Sequence, residues 1–327
     1  MNTMKKYLVT VVLSCLSVIS IFAQHELAPS LSSQMFSRIN YNPAGMGNSG
    51  NVNIFSQTRF QWVGFGDGAP KSEVLNVHGF VESIKSGFGG TFTYDAIGLG
   101  RTNINAKVAY AYNLDLSDRG LLSFGLSAGI HLIQKTYDRD LIGNYGNEES
   151  VSAGLINESK INPDVAFGIE YSHPYFLVGA SINHIGMLNK ITTFSPTQTY
   201  YVYARGSIPV AGGDWHIAPS VLYMNSGQAN VVNLSCIGYY RGFESEFGVK
   251  DLMCWGGLGF NLNDFSAAPY MPIMLGVEWT FLRVGYAYEL GFGIGNYNTH
   301  EVMLSFNIPT ASKKSAVDSK KKKKKRR

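Results

Sequence analysis

Between residues 52 and 308 the chain repeats one pattern, in which apolar residues alternate with polar or small residues and a turn follows. In the segment Asn103–Leu114, for example, Ile104, Val108 and Tyr112 lie at even-numbered positions, and every odd-numbered position is polar or small. Side chains of a strand point alternately to its two faces. The pattern therefore predicts strands that have one apolar and one polar face.

Fifteen segments fit this template. They are Val52–Trp62, Glu73–Ser83, Gly87–Ala96, Asn103–Leu114, Gly120–Lys135, Asn162–Ser172, Tyr175–Asn183, Thr199–Ile208, Trp215–Asn225, Gln228–Tyr240, Phe243–Lys250, Trp255–Leu262, Ile273–Thr280, Leu282–Leu290 and His300–Ile308. Transmembrane barrels of bacteria have an even number of strands. We therefore expect Phe243–Lys250 and Trp255–Leu262 to belong to one interrupted strand. The prediction is an all-β protein, a transmembrane antiparallel up-and-down β-barrel of about 14 strands.

Nine charged residues within the candidate strands lie opposite the apolar face. They are Arg59, Lys107, Glu170, Arg205, Glu244, Glu246, Glu278, Arg283 and Glu289. A charge that faces lipid near the middle of the membrane costs up to about 2–4 kcal/mol, so these side chains should face the lumen. Because both signs occur, we expect ion pairs in a filled or narrow barrel and not a charge-selective pore.

The four tryptophans lie at or near the ends of candidate strands: Trp62, Trp215, Trp255 and Trp279. Amphipathic rings of this kind concentrate at the boundary between membrane and water. The pattern predicts an aromatic girdle.

The N-terminus is typical of a secretory signal peptide. Lys5 and Lys6 precede an apolar run from Tyr7 to Phe22, and Ala23 lies at the expected cleavage site. A lipoprotein site at Cys15 is the alternative. Residues 24–51 then form a periplasmic or plug segment, residues 52–308 the barrel and residues 309–327 a disordered periplasmic tail. With both termini in the periplasm, the long connections 136–161 and 184–198 lie outside the cell.

Composition favours a protein made of strands and argues against a nucleic acid partner. The chain has 36 Gly, 19 Tyr and 19 Phe but only 15% charged residues, which favours short strands over a helical domain. Its net charge of +4 comes from residues 313–327, which hold ten Lys or Arg and one Asp. A nucleic-acid-binding protein carries its basic residues on a folded face, so we expect no nucleic acid partner.

The tail ends in eight consecutive basic residues: Lys320, Lys321, Lys322, Lys323, Lys324, Lys325, Arg326 and Arg327. Such a block can bind anionic lipid headgroups or an acidic partner by electrostatics. The alternative is a solvated extension.

Residues that could carry catalysis or bind a metal do not form a recognisable motif. His78, His131, His184 and His300 each lie in or at the end of a candidate strand, without a nucleophile beside them. No metal-ligand spacing is present, and Cys236 and Cys254 either form a disulfide or are two small apolar residues. We expect no catalytic, cofactor or metal site and no enzymatic activity.

The sequence Tyr41-Asn42-Pro43-Ala44-Gly45 calls for a tight turn before the first strand. One interpretation is a turn that only leads into the barrel. The other is a docking element that contacts secretion components.

Several segments together resemble the PorP/SprF family of the type IX secretion system of Bacteroidetes. The segments are Gln34-Met35-Phe36 with Tyr41–Gly45, Thr58–Trp62, Tyr110–Tyr112, Leu122–Gly129, Gly179–His184, Val284–Glu289 and Asn296–Leu304. Departures are Glu289, where the family more often has Asp, and Gly45-Met46-Gly47, where an aromatic residue is common before Gly. The resemblance spans residues 27 to 308.

The resemblance implies a non-enzymatic outer-membrane component that supports export or surface display of large secreted proteins. In gliding species these include adhesins for gliding motility. The implied partners are the secretion machinery, a secreted substrate or adhesin, and outer-membrane lipid. A passive channel for small molecules is the alternative, and it would require an open lumen.

Overall fold

The computed structural model describes residues 31–64, 68–97, 100–117, 119–136, 158–185, 195–210, 214–227, 229–241, 252–263, 270–291 and 298–309. Outside these ranges lie the predicted signal peptide, the basic tail and the candidate strand Phe243–Lys250, with Glu244 and Glu246.

The described residues form fourteen strands. They are β1 (Val52–Val63), β2 (Lys71–Val81), β3 (Ser86–Ile97), β4 (Arg101–Asp115), β5 (Leu121–Lys135), β6 (Glu158–His173), β7 (Phe176–Asn183), β8 (Thr199–Gly206, continued after Ser207 by Ile208–Pro209), β9 (Trp215–Ser226), β10 (Ala229–Tyr240), β11 (Leu252–Asn263), β12 (Tyr270–Trp279), β13 (Leu282–Gly291) and β14 (Asn298–Ile308). The helices in the described ranges are 3-10 turns at Gln34–Phe36, Arg38–Asn40, Pro43–Gly45 and Glu82–Ile84. In the described parts of the chain, no helix is long and apolar enough to cross a membrane.

Each strand pairs antiparallel with its sequence neighbours, and the last strand pairs with the first. In that closing pair, Val52 lies opposite Ile308 and Arg59 lies opposite Glu301. The sheet is therefore a closed barrel without free edges, and the predicted fold class and strand number are confirmed.

The connection predicted at residues 136–161 was too long. The connection 136–161 ends at residue 157, because Glu158 to Ile161 already pair with Leu132 to Lys135 of β5. These first residues of β6 include Glu158, Ser159 and Lys160, so no apolar alternation marks them in the sequence. Only pairing with β5 makes them a strand.

The outer face of the barrel is apolar. In β4, Val108 is 71% exposed and Tyr110 and Tyr112 are also exposed, whereas the intervening Ala109 and Ala111 are buried. The other long strands repeat this arrangement, with exposed Leu, Val, Ile, Phe and Tyr residues around the ring. Soluble monomers rarely expose so large an apolar surface. It is suited to contact with lipid.

Residues 31–51, called here the internal segment, lie inside the ring. The turn Pro43–Gly45 contacts β4, β5 and β6. Ser32 donates its backbone N–H to Glu301 of β14, and Phe36 packs on Trp255 of β11. Because β5 and β11 lie on opposite sides of the closed sheet, a segment of this length can contact both only from within the barrel.

Candidate functional site inside the barrel

The turn predicted at residues 41–45 is anchored to the barrel wall by Asn42. Its side-chain oxygen accepts a hydrogen bond from the N–H of Ala44 at 2.9 Å, which caps the 3-10 turn. Its amide nitrogen donates to the hydroxyl of Tyr203 at 2.8 Å and to the carbonyl of Ile169 at 3.1 Å. Asn42 is fully buried. One side chain therefore shapes the turn and attaches it to two strands.

Tyr41 provides a second anchor. Its ring stacks on Tyr201 with centroids 5.0 Å apart and meets Tyr203 edge-on at 5.5 Å. Its carbonyl accepts hydrogen bonds from Ser181 and from Asn183, each at 2.6 Å. A role in docking other proteins does not fit residues 41–45, because all five are buried against the barrel wall. The other interpretation, a turn that leads toward the first strand, agrees with this position.

Glycines on the inner wall make room for the turn. A Cβ atom at Gly125 of β5 would overlap the backbone of Pro43 and Ala44, and one at Gly168 of β6 would overlap the side chain of Asn42. Any larger residue at either position would push the turn away from the wall.

The first of three buried charge clusters, the Arg59 cluster, joins β1, β13 and β14. Arg59 donates from Nη1 to Glu289 and to Glu301 at 2.5 Å and from Nη2 to Glu289 at 2.7 Å. The three side chains are 1–4% exposed. Ser32 of the internal segment donates its N–H to both carboxylate oxygens of Glu301, at 2.8 and 3.0 Å. The cluster thus ties the start of the internal segment to the wall.

The second cluster is centred on Glu170, whose side chain is fully buried. Its carboxylate accepts hydrogen bonds from Arg38 Nε at 3.0 Å and from the Tyr203 hydroxyl at 2.5 Å. Asn48 donates to the same carboxylate. Arg38 and Asn48 belong to the internal segment, so this wall carboxylate holds the segment at two points.

The third cluster is centred on Asp164 of β6. Lys107 Nζ lies 3.8 Å from one of its oxygens and His184 Nδ1 lies 3.0 Å from the other. Asn105 also donates to Asp164, and Lys107 donates to Asn183 at 3.2 Å. This cluster lies at the end of the barrel that carries the connections after β5 and β7.

Of the remaining predicted charges, Arg283 and Arg205 lie over the ring of Phe36. The guanidinium of Arg283 lies 4.9 Å from the ring centroid of Phe36 and that of Arg205 lies 5.9 Å from it. Arg283 Nε also donates to Glu278 at 2.8 Å, and Arg205 donates to the hydroxyl of Tyr239 at 2.6 Å. All seven predicted charges within the described ranges are therefore engaged by other side chains.

Three important partners were missing from the list of predicted charges: Arg38, Asp164 and Glu301. Strand parity could have added two of them, because Asp164 shares its face with Glu170 and Glu301 lies opposite the apolar Val302 and Leu304. Arg38 has no such signal, since it lies in the irregular internal segment.

The girdle prediction was wrong for Trp255. Trp62, Trp215 and Trp279 are 44–54% exposed at strand ends, but Trp255 is 5% exposed and packs on Phe36 at 4.9 Å. Trp255 shares the inward face of β11 with the buried Met253. Strand parity decides this placement, and nearness to a strand end does not.

Cys236 and Cys254 are both free. Cys236 pairs in register with Leu258 and Cys254 pairs with Tyr240, so the two thiols are offset along β10 and β11. Cys236 is exposed on the outer face. The alternative of two small apolar residues agrees with this arrangement.

A closed antiparallel barrel with an apolar outer face and a filled polar interior defines the class of protein, an outer-membrane β-barrel. Within that class, the chain belongs to the family described as type IX secretion system membrane protein PorP/SprF, whose sequence profile matches residues 23–306. The predicted family is confirmed. No curated protein sequence matches the chain significantly.

Solved structures share the fold at low sequence identity. The CymD monoaromatic hydrocarbon channel has a TM-score of 0.50 and 11% identity, and the match covers 84% of this chain and 91% of CymD. The TodX deltaS2S3 mutant monoaromatic hydrocarbon channel has a TM-score of 0.47 and 10% identity, and the match covers 85% of this chain and 93% of the TodX chain. The Acinetobacter baumannii outer membrane protein Omp33 has a TM-score of 0.46 and 10% identity, and the match covers 79% of this chain and 98% of Omp33.

Proposed function

We propose that this protein is a non-enzymatic accessory component of type IX secretion that supports export or surface display of large secreted proteins. In a gliding species its substrate would be an adhesin and its role would extend to gliding motility. Family membership supports secretion. The observation that carries the mechanism is the internal segment, which is bonded to the wall at the Arg59 cluster, at Glu170 and through Asn42.

The filled interior favours an anchor over a passage. Asn42, Glu170 and Glu301 hold the internal segment on two sides of the barrel, with side chains that are at most 1% exposed. In this proposal the secreted protein does not pass through the barrel. It is met by the connection 136–157 outside the cell, while residues 24–30 and the basic tail face the periplasm and the secretion machinery.

The test is a gene deletion that is complemented with the wild type or with shortened variants. The secretome and surface proteins of the deletion strain are compared with those of strains that express the wild type or a variant lacking residues 137–157. Loss of one or more large secreted proteins from the surface is expected in the deletion strain and in the loop variant. A variant without residues 264–269, in the connection between β11 and β12, is the control for shortening the chain and should keep the surface proteins of the wild type.

Heat-modifiable migration in gel electrophoresis, which reports a folded barrel, is measured for each variant. An unchanged secretome in the deletion strain, together with a robust single-channel current from the pure wild-type protein, would refute the proposal and favour a small-molecule channel.

A further inference from the structure

Two histidines that are far apart in the sequence meet at the Asp164 cluster. His131 comes from β5, Asp164 from β6 and His184 from the residue after β7, and one ligand atom from each lies within 4.8 Å of the others. His184 Nδ1 is 3.0 Å from Asp164 Oδ1. The rings of His131 and His184 meet edge-on, with centroids 5.2 Å apart.

His131 has an unsatisfied atom that points to a ligand. Its Nε2 is buried and has no hydrogen-bond partner among the described residues. A buried polar atom without a partner costs about 1–3 kcal/mol, and native structures rarely retain one without a reason. A bound cation would satisfy this nitrogen.

The cluster borders a cavity of about 90 Å³. His131, His184, Lys107, Asn105 and Asn183 line it, together with Thr199. This volume holds an ion and one or two water molecules.

The donor set has the chemistry of a transition-metal site. Two imidazoles and one carboxylate bind Zn²⁺ and its neighbours in the first row, with bonds of about 2.0–2.2 Å. Such bonds bring the ligand atoms to within about 3.3 Å of one another. The pair Asp164 and His184 already meets this spacing, and His131 has to approach by up to about 1.5 Å. Asn105 donates to Asp164 and fixes the orientation of the carboxylate.

We propose that His131, Asp164 and His184 bind a divalent first-row transition-metal ion, which staples β5, β6 and the segment after β7 at one end of the barrel. Lys107 opposes binding, because its ammonium lies 3.8 Å from Asp164 Oδ2. The proposal therefore makes a two-sided prediction. Loss of a histidine weakens binding, and loss of the Lys107 charge strengthens it.

The test uses the mature protein in detergent, purified without a polyhistidine tag, with Zn²⁺ as the probe in isothermal titration calorimetry. We expect the wild type to bind one ion per chain. The affinity for Zn²⁺ should fall about 100-fold or more in His131→Asn and in His184→Asn, and it should rise several-fold in Lys107→Met. His216→Asn, at the opposite end of the barrel, and His25→Asn, near the mature N-terminus, should bind as the wild type does.

Co²⁺ provides a measurement that needs no variant. A wild-type protein that binds Co²⁺ through two imidazoles and a carboxylate shows visible absorption bands of a four- or five-coordinate ion, and Zn²⁺ removes them. The melting temperature should also rise with Zn²⁺. The proposal is overturned if the wild type shows no stoichiometric binding and no Co²⁺ bands, or if both histidine variants bind as well as His216→Asn.

Discussion

At the scale of the residue, the interior depends on a few polar side chains that each have several partners. Glu301 accepts from Arg59, Gln57 and the backbone of Ser32. Asn42 is both the cap of a 3-10 turn and a donor to two strands. In a buried environment, removal of one member leaves the others without partners. Single substitutions here should therefore have large effects.

Substitution Arg59→Met should lower the free energy of unfolding by about 3–5 kcal/mol, because it leaves two adjacent buried carboxylates without their cation. Urea unfolding in lipid vesicles measures the change. The matched control is Lys71→Met, since Lys71 and Glu73 form an ion pair in which both side chains are more than 40% exposed. Removal of that pair should cost about 1 kcal/mol or less. Equal effects of the two variants would contradict the buried Arg59 cluster.

Substitution Asn42→Ala should cost about 1–3 kcal/mol, because the N–H of Ala44 and the carbonyl of Ile169 lose their partner in a buried site. Urea unfolding in lipid vesicles measures this loss of stability as well. Asn225→Ala, in the hairpin between β9 and β10, removes an amide that bonds mainly to Asn230 at a strand end and should cost less than 1 kcal/mol. A cost for Asn42→Ala no larger than that of the control would show that the turn is not held by this side chain.

At the scale of the element, strands and internal segment fit because the wall has glycines where the turn approaches. Gly125 and Gly168 lie on inward positions of β5 and β6, beside the turn at residues 42–45. The pattern of strands alone does not require glycine at these positions. Glycine is required there because the backbone of the internal segment comes so close to the wall.

Substitution Gly125→Ala should displace the internal segment while the strands stay paired, at a cost of about 1–3 kcal/mol from overpacking. Trypsin cleavage after Arg38 should become faster, because that residue would leave its contact with Glu170. Gly238→Ala is the control, since a Cβ atom there would lie 3.8 Å from its nearest neighbour, the carbonyl of Gly256. Cleavage at the wild-type rate in Gly125→Ala would argue against close packing of the turn on β5.

At the scale of the whole molecule, the closed sheet encloses a lumen, and the internal segment lies in that lumen. The segment contacts β5 on one side and β11 and β14 on the other. Ion flow through the barrel should therefore depend on this segment more than on the charges of the wall.

Deletion of residues 31–51 should raise the single-channel conductance in planar bilayers well above that of the wild type, because it removes the contents of the lumen. Deletion of residues 313–327 is the control and should leave the conductance unchanged. Equal currents from the wild type and the 31–51 deletion would show that the segment does not obstruct the barrel. This result would weaken the proposal of an anchor.

The sequence by itself determined the barrel. Alternation in segments such as Asn103–Leu114 is a local property, and lipid on one side leaves polar residues such as Lys107 only the inner face. Closed pairing then follows, because unpaired strand edges are not tolerated in a membrane. The family was also visible in the sequence, from the order of several short motifs along the chain.

Only the tertiary structure decided which side chains meet across the interior. Strand parity turns Trp255 inward, but only the path of the internal segment brings Phe36 against it. The pairing of Arg59 with Glu289 and Glu301, and the meeting of His131 with His184, depend on which strands are neighbours and on their register. Strand periodicity assigns a residue to a face, but the closure of the sheet assigns its partners.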